Sequence, residues 1–195
     1  MTDLNKLILA SASPRRKEIL ENFQVPFDII PANVEESIHE GEEAKQIAMA
    51  LAFEKALNVL QYCEADDIVI AADTVVYKNE IFGKPLNYED AYRMLNLLQN
   101  DIHVVISGIA VMQKSTDIKI VDFESTKVKL KKLEHERIQK YIESGEVWDK
   151  AGSYAIQGKG SLLVDWIKGD YFNVVGLPIS KLDDILRKYF KIELM

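Results

Sequence analysis

Two hydroxyls and three cations meet in Ser11-Ala12-Ser13-Pro14-Arg15-Arg16-Lys17, at a point where a helix begins. Ser13 followed by Pro14 reads as an N-cap and a first-turn proline. The N–H groups and macrodipole of a helix start are already electropositive, so three cations there run against the usual preference for acids. Arg16 also falls in register with Ile19, Leu20 and Phe23, which sets a guanidinium at the head of the stripe that faces the core. A bound anion resolves both conflicts, because backbone N–H groups, serine hydroxyls and forked guanidinium groups converge on it. The alternative is a basic turn solvated at the surface or paired with nearby acids. On the anion reading, Arg16→Ala weakens binding and leaves thermal stability unchanged or raised.

An acid interrupts an apolar run. Asp67-Ile68-Val69-Ile70-Ala71-Ala72-Asp73-Thr74-Val75-Val76 is apolar on both alternating faces, as in a central strand covered by helices. Asp73 there needs hydrogen bonds, a cation or a metal, because an unpaired buried charge costs several kcal/mol. A structural salt bridge or a strand-end turn would also meet that need. Lys84 sits between Gly83 and Pro85 in a stiff turn that can hold an ammonium in place, although any surface loop can carry such a lysine. Lys55 follows Ile47 and Leu51 at spacings of four, close to an apolar stripe, where snorkelling is the plain alternative. Glu35 and Glu36 follow the second strand, and taken alone they read as a charged loop. Combined with Asp73, a carboxylate here would hold Mg²⁺ against phosphate oxygens, since that cation uses one or two carboxylates plus substrate phosphates.

The elements that position these residues alternate. Strand signals lie at Lys6 to Ala10, Phe27 to Pro31, Ile68 to Val76, Val104 to Met112, Lys119 to Lys129, Ser161 to Ile167 and around Tyr171 to Val175. Helical periodicity covers Pro14 to Asn22, Glu42 to Leu60, Tyr88 to Gln99 with Asn87 as cap, Glu134 to Glu143 and Ser180 to Phe190. The chain is therefore read as α/β, without repeats or a low-complexity linker.

With 195 residues and 48% hydrophobic composition, the chain can bury a substantial core as a single domain over 1–195, or as two lobes around a cleft. The net charge of −7 argues against a nucleic-acid backbone or an anionic membrane as main partner, and leaves a local basic pocket for a small anion. Cys63 is the only cysteine, so no intrachain disulfide or cysteine metal cluster forms, which favours an intracellular location. No apolar run approaches the roughly 20 residues that span a bilayer, and the opening MTDLNK lacks the regions of a signal peptide. A soluble cytoplasmic protein is expected. Exposed apolar residues allow a homodimer, and Trp148 and Trp166 are expected in the core or a cleft wall.

The set Ser11-Ala12-Ser13-Pro14-Arg15-Arg16, Glu36, Lys55, Ala71-Ala72-Asp73-Thr74, Gly83-Lys84-Pro85 and Asp149-Lys150-Ala151-Gly152-Ser153-Tyr154-Ala155-Ile156-Gln157-Gly158 resembles the Maf family of nucleoside triphosphate pyrophosphatases. The likeness continues through Gly169-Asp170-Tyr171 and Asn173-Val174-Val175-Gly176-Leu177-Pro178, so the motifs span most of the chain in order. The resemblance implies an elongated mixed-sheet α/β structure with a central cleft, similar to inosine triphosphate pyrophosphatases. It implies hydrolysis of a nucleoside triphosphate to monophosphate and pyrophosphate with a divalent metal, Mg²⁺ or Mn²⁺. Asp73 matches the family's proton acceptor, and Arg15, Thr74 and Gln157 match positions linked to substrate choice. The Tyr-Ala-Ile-Gln-Gly form resembles the dTTP/UTP branch. Glu35-Glu36 departs from the Asp-Glu of many members, with an acid kept at both places.

On this reading Ser11, Ser13, Arg15, Arg16, Lys55 and Lys84 hold the triphosphate, while Glu36 and Asp73 hold the metal or Asp73 accepts the proton of the attacking water. Those two roles of Asp73 are not separable in the sequence. Gln157 offers a donor and an acceptor that suit the edge of uracil or thymine, against the alternative of a glutamine that ties its own loop. The competing functions are a pyrophosphatase for 7-methyl-GTP or another modified nucleotide, and a nucleotide-binding regulator of septum formation that senses without turnover.

Overall fold

The computed structural model describes residues 6–34 and 42–195, so Glu35 and Glu36 lie outside the described residues. The strands are β1 (Leu7–Leu9), β2 (Phe27–Ile29), β3 (Ile68–Lys78), β4 (Glu80–Phe82), β5 (Ile102–Gln113), β6 (Ile118–Leu130) and β7 (Val164–Lys168). The helices are α1 (Pro14–Glu21), α2 (Ala44–Leu60), α3 (Tyr88–Leu98), α4 (His135–Glu143), α5 (Tyr171–Val175) and α6 (Ile179–Ile185). Among the described residues the strands form one mixed sheet in the order β2-β1-β3-β5-β6-β7, with β4 paired to β3 off that path. The expected mixed-sheet α/β class is what the chain adopts.

Two compact units make up the chain. One comprises Met1–Asp73, Ser107–Glu124 and Gly176–Met195, the other Thr74–Ile106 and Ser125–Val175. In the first, β1 pairs in parallel with β2 and with β3, Leu9 standing opposite Ile29 and Ile70. Ala52, Ala56, Val59 and Leu60 of α2 pack with Ile8, Val69, Ala71, Ala110 and Met112. These helix positions recur at three and four, as a buried helix face requires. The approach is close: a Cβ built on Gly108 of β5 would lie 2.1 Å from the carbonyl oxygen of Ala48, so helix backbone rests directly on strand backbone. Cys63 finishes this cluster, its thiol donating to the Val59 carbonyl at 3.3 Å, and burial pushes its pKa up.

The second unit has its own core, in which Ala91, Met94, Leu95 and Leu98 of α3 meet Val76, Phe82, Val105, Val128, Ile138 and Ile142. Asn87 caps α3 as expected, its side chain accepting from the Asp90 N–H at 2.8 Å. Strand β4 had no sequence signal; Asn79, at φ 61°, turns the chain back to form it.

The expected strand at Tyr171 to Val175 is instead helix α5. The cause is local: Gly169 takes φ 133°, and the Asp170 carboxylate accepts from the Phe172 N–H at 2.7 Å, starting a helical turn in a stretch whose aromatic and β-branched residues favour a strand. The start of the expected Ser161 to Ile167 strand belongs to a 3-10 turn, Gly158–Leu162, ahead of β7. Trp148 and Trp166 are both exposed rather than in the core.

Candidate active site

The chain leaves β1 through a tight serine turn. The Ser13 N–H donates to Ser11 Oγ at 3.2 Å, and Ser11 is buried. Ser13 is the N-cap residue of α1 with Pro14 following, but its side chain makes no capping bond. Arg16 returns over the same turn: Nη1 donates to Ser11 Oγ at 3.3 Å, and Nε donates to the Gly176 carbonyl at 2.8 Å. The guanidinium at the head of the helix stripe is therefore held by protein acceptors, which gives it a structural duty besides any anion. Arg15 lies beside it, half-buried.

Asp73 meets a cation. Side chains alternate along β3, so Asp73 shares the face of Val69 and Ala71, which α2 covers. Lys55 occupies a core-facing position of α2 between Ala52 and Val59, and its ammonium donates to Asp73 Oδ1 at 2.5 Å. Both side chains are nearly enclosed, at 13% and 10% exposure, so the ion pair is largely shielded from water. Because β1 and β3 are parallel with Leu9 opposite Ile70, Ser11 and Asp73 both follow that register in one direction. The order β2-β1-β3 makes this a topological switch point, where α/β sheets bind ligands beyond the carboxyl ends of their strands.

Thr74, Lys84 and Gln157 belong to the second unit. Thr74 is half-buried in β3 next to Asp73. Lys84 is exposed in the turn after β4, and the preceding Gly83 carbonyl accepts from the Gly152 N–H at 3.0 Å. That bond ties the Lys84 turn to the segment that runs on to Gln157. Gly152 takes φ 71°, which suits glycine, and it packs tightly, since a Cβ would come within 3.2 Å of the Leu98 and Val76 side chains. Gln157 caps the 3-10 turn with backbone only, and among the described residues its carboxamide makes no hydrogen bond.

Residues that local patterns do not single out hold this segment. Tyr154 lies at its start, with its hydroxyl 2.6 Å from His103 Nε2 and the rings edge to face. His103 is 1% exposed, and its Nδ1 has no hydrogen-bond partner. Burial, then the Lys78 ammonium, lowers its pKa to about 4 against a smaller opposing effect of Asp101. Burial likewise pushes the Tyr154 phenol up. The Ala155 N–H donates to Tyr141 Oη at 3.1 Å, and Glu146 accepts from the Lys159 and Gly160 N–H groups. Glu146 carries no sequence signal because its partners are main-chain groups; Gly158-Lys159-Gly160 is the hint that backbone is being approached there.

Among the described residues no group of three or more His, Cys, Asp or Glu side chains could hold a metal ion, and no helix is long and apolar enough to cross a membrane.

The sequence model of the Maf-like protein family matches residues 6–189. The chain is 50% identical over 192 residues to a dTTP/UTP pyrophosphatase of Alkaliphilus oremlandii, covering 98% of this chain and 100% of that one. It is 51% identical over 189 residues to a dTTP/UTP pyrophosphatase of Clostridioides difficile, covering 96% and 97%. Among solved structures, the Ham1 protein of Staphylococcus aureus superposes with a TM-score of 0.46 at 12% identity, covering 65% of this chain and 72% of that one.

Proposed function

The chain belongs to the Maf family, and on that premise we propose that it hydrolyses dTTP and UTP to the nucleoside monophosphate and pyrophosphate. Relatives of about half-identical sequence over nearly the whole chain, which carry that activity in their names, support the reading. In the reaction, water attacks the α-phosphorus, the α–β anhydride bond breaks and pyrophosphate leaves with the electron pair. Positioning and charge neutralisation supply most of the rate. Ser11, Ser13, Arg15, Arg16, Lys55 and Lys84 hold the triphosphate oxygens, and Asp73 receives the proton of the water or holds the metal.

The observation that carries this is the Lys55–Asp73 pair. A site that only captured polyanions would gain nothing from a buried acid, whereas hydrolysis uses one. A divalent metal, Mg²⁺ or Mn²⁺, fits these residues: Asp73 and Glu36 are hard oxygen donors, and Mg²⁺ takes one or two carboxylates with substrate phosphates in place of a closed protein cage. When bound, it neutralises phosphate charge. The substrate is a small nucleotide, and the chemistry suits the reducing cytoplasm, where a lone buried thiol stays reduced.

Gln157 reads the base. Its carboxamide makes no hydrogen bond among the described residues, so it is not tied into its own loop and can meet the N3–H and a carbonyl of uracil or thymine. Pyrophosphate release measured over common and modified triphosphates tests both parts. We expect dTTP and UTP to exceed CTP by about tenfold or more in kcat/KM, and Gln157→Glu to narrow that ratio. Preferred turnover of 7-methyl-GTP, or binding with no turnover of any triphosphate, would overturn the reading.

A further inference from the structure

We propose that Glu146 is the positioning residue for Gln157: its carboxylate fixes the backbone from which that side chain reaches the base, and so sets selectivity without touching substrate. The inference rests on the base-reading role of Gln157. Glu146 Oε1 accepts from the Lys159 N–H at 3.1 Å, and Oε2 from the Gly160 N–H at 3.3 Å. Both donors belong to the first residues of the 3-10 turn Gly158–Leu162. An ionised acceptor makes stronger bonds to them than a neutral one.

The two glycines fit this clamp. Gly158 takes φ 61°, and a Cβ there would stand 3.0 Å from both carboxylate oxygens of Glu146. A Cβ on Gly160 would lie 2.6 Å from Tyr141 Oη and 2.3 Å from the Ala155 carbonyl. On the other side of Gln157 the Ala155 N–H donates to that same Tyr141 hydroxyl. Tyr141 belongs to α4, and Glu146 follows the turn that ends it, so one helix end grips the segment before and after Gln157. Gln157 itself has no side-chain capping bond. The direction of its carboxamide is thus inherited from backbone held at residues 155, 159 and 160.

The experiment is a cycle of Glu146→Ala, Gln157→Ala and the double variant, with kcat and KM measured separately for UTP and CTP. Glu146→Ala is expected to narrow the UTP to CTP ratio of kcat/KM by about tenfold, through a raised KM for UTP with kcat within about threefold of the parent. In the Gln157→Ala background the same change should narrow the ratio no further. Glu146→Gln keeps one carbonyl acceptor, so a smaller narrowing is expected; it decides the matter if Glu146→Ala does not fold. An unchanged ratio in a folded Glu146 variant, with Gln157→Ala narrowing it, overturns the positioning role and leaves base reading intact. Equal loss for both nucleotides overturns it too, marking Glu146 as structural. If Gln157→Ala leaves the ratio unchanged, the base-reading premise falls and the positioning role with it.

Discussion

Lowering the pH from 7.5 to 4.5 should weaken the fold by about 2 to 3 kcal/mol through His103 alone. The imidazole is 1% exposed, has no partner at Nδ1, and titrates near pH 4 where an unfolded histidine titrates near 6.5. The native state therefore refuses a proton that the unfolded chain accepts between those values. Because the folded pKa is the lower one, stability is present above about pH 6.5 and drains as pH falls towards 4. At about 1.36 kcal/mol per pKa unit, most of that shift is expressed by pH 4.5. Burial makes the proton unwelcome first, and Lys78, paired to Asp101 at 2.9 Å, is already a cation nearby. Urea unfolding between pH 4.5 and 7.5, run on the parent and on His103→Gln, isolates the effect. Glutamine can keep the contact to Tyr154 Oη but does not titrate. The parent should lose about 2 to 3 kcal/mol more than the variant over this range; parallel pH profiles would refute the reasoning.

Asp73→Asn should lower turnover at least about a hundredfold with the protein still folded; steady-state kinetics with thermal melting checks both. At saturating metal a lost base lowers kcat, whereas a lost ligand raises the metal concentration needed. Gly108→Ala must displace α2 from β5, costing about 3 kcal/mol in urea unfolding and moving Lys55 enough to cut kcat about tenfold. Arg16→Ala should lose about 1 to 2 kcal/mol in the same assay as well as triphosphate affinity, because the Nε bond to Gly176 goes with it; this reverses the expectation drawn from the helix dipole alone.

Asp73 and Lys55 were legible because each is a charge at a position whose periodicity belongs to apolar side chains, and the fold joined them. The basic start of α1 was legible for the same reason, but the Arg16 partner, the Gly176 carbonyl, was not: main-chain groups far along the sequence leave no pattern at residue 16. The same blindness hid Glu146, which acts only on N–H groups. At Tyr171 to Val175 aromatic and β-branched residues suggested a strand, and a single capping bond to Asp170 made it a helix. A short-range bond outweighed residue preference over five residues.

The unit that holds Asp73 is assembled from three separate stretches of chain, and the other from two. On a ribosome, where chain emerges in order, the stretches of the second unit have all appeared once Val175 is out. The first still lacks the segment that begins at Gly176, the residue Arg16 grips, and Lys181, which pairs with Asp122 at 3.1 Å. The half bearing the earliest residues is thus the later to close, with Arg16 and Asp122 waiting on distant partners. A nascent chain stalled before Gly176 would carry Ser11, Lys55 and Asp73 already synthesised and the Arg16 anchor still missing, so the turn after β1 is braced only late in translation.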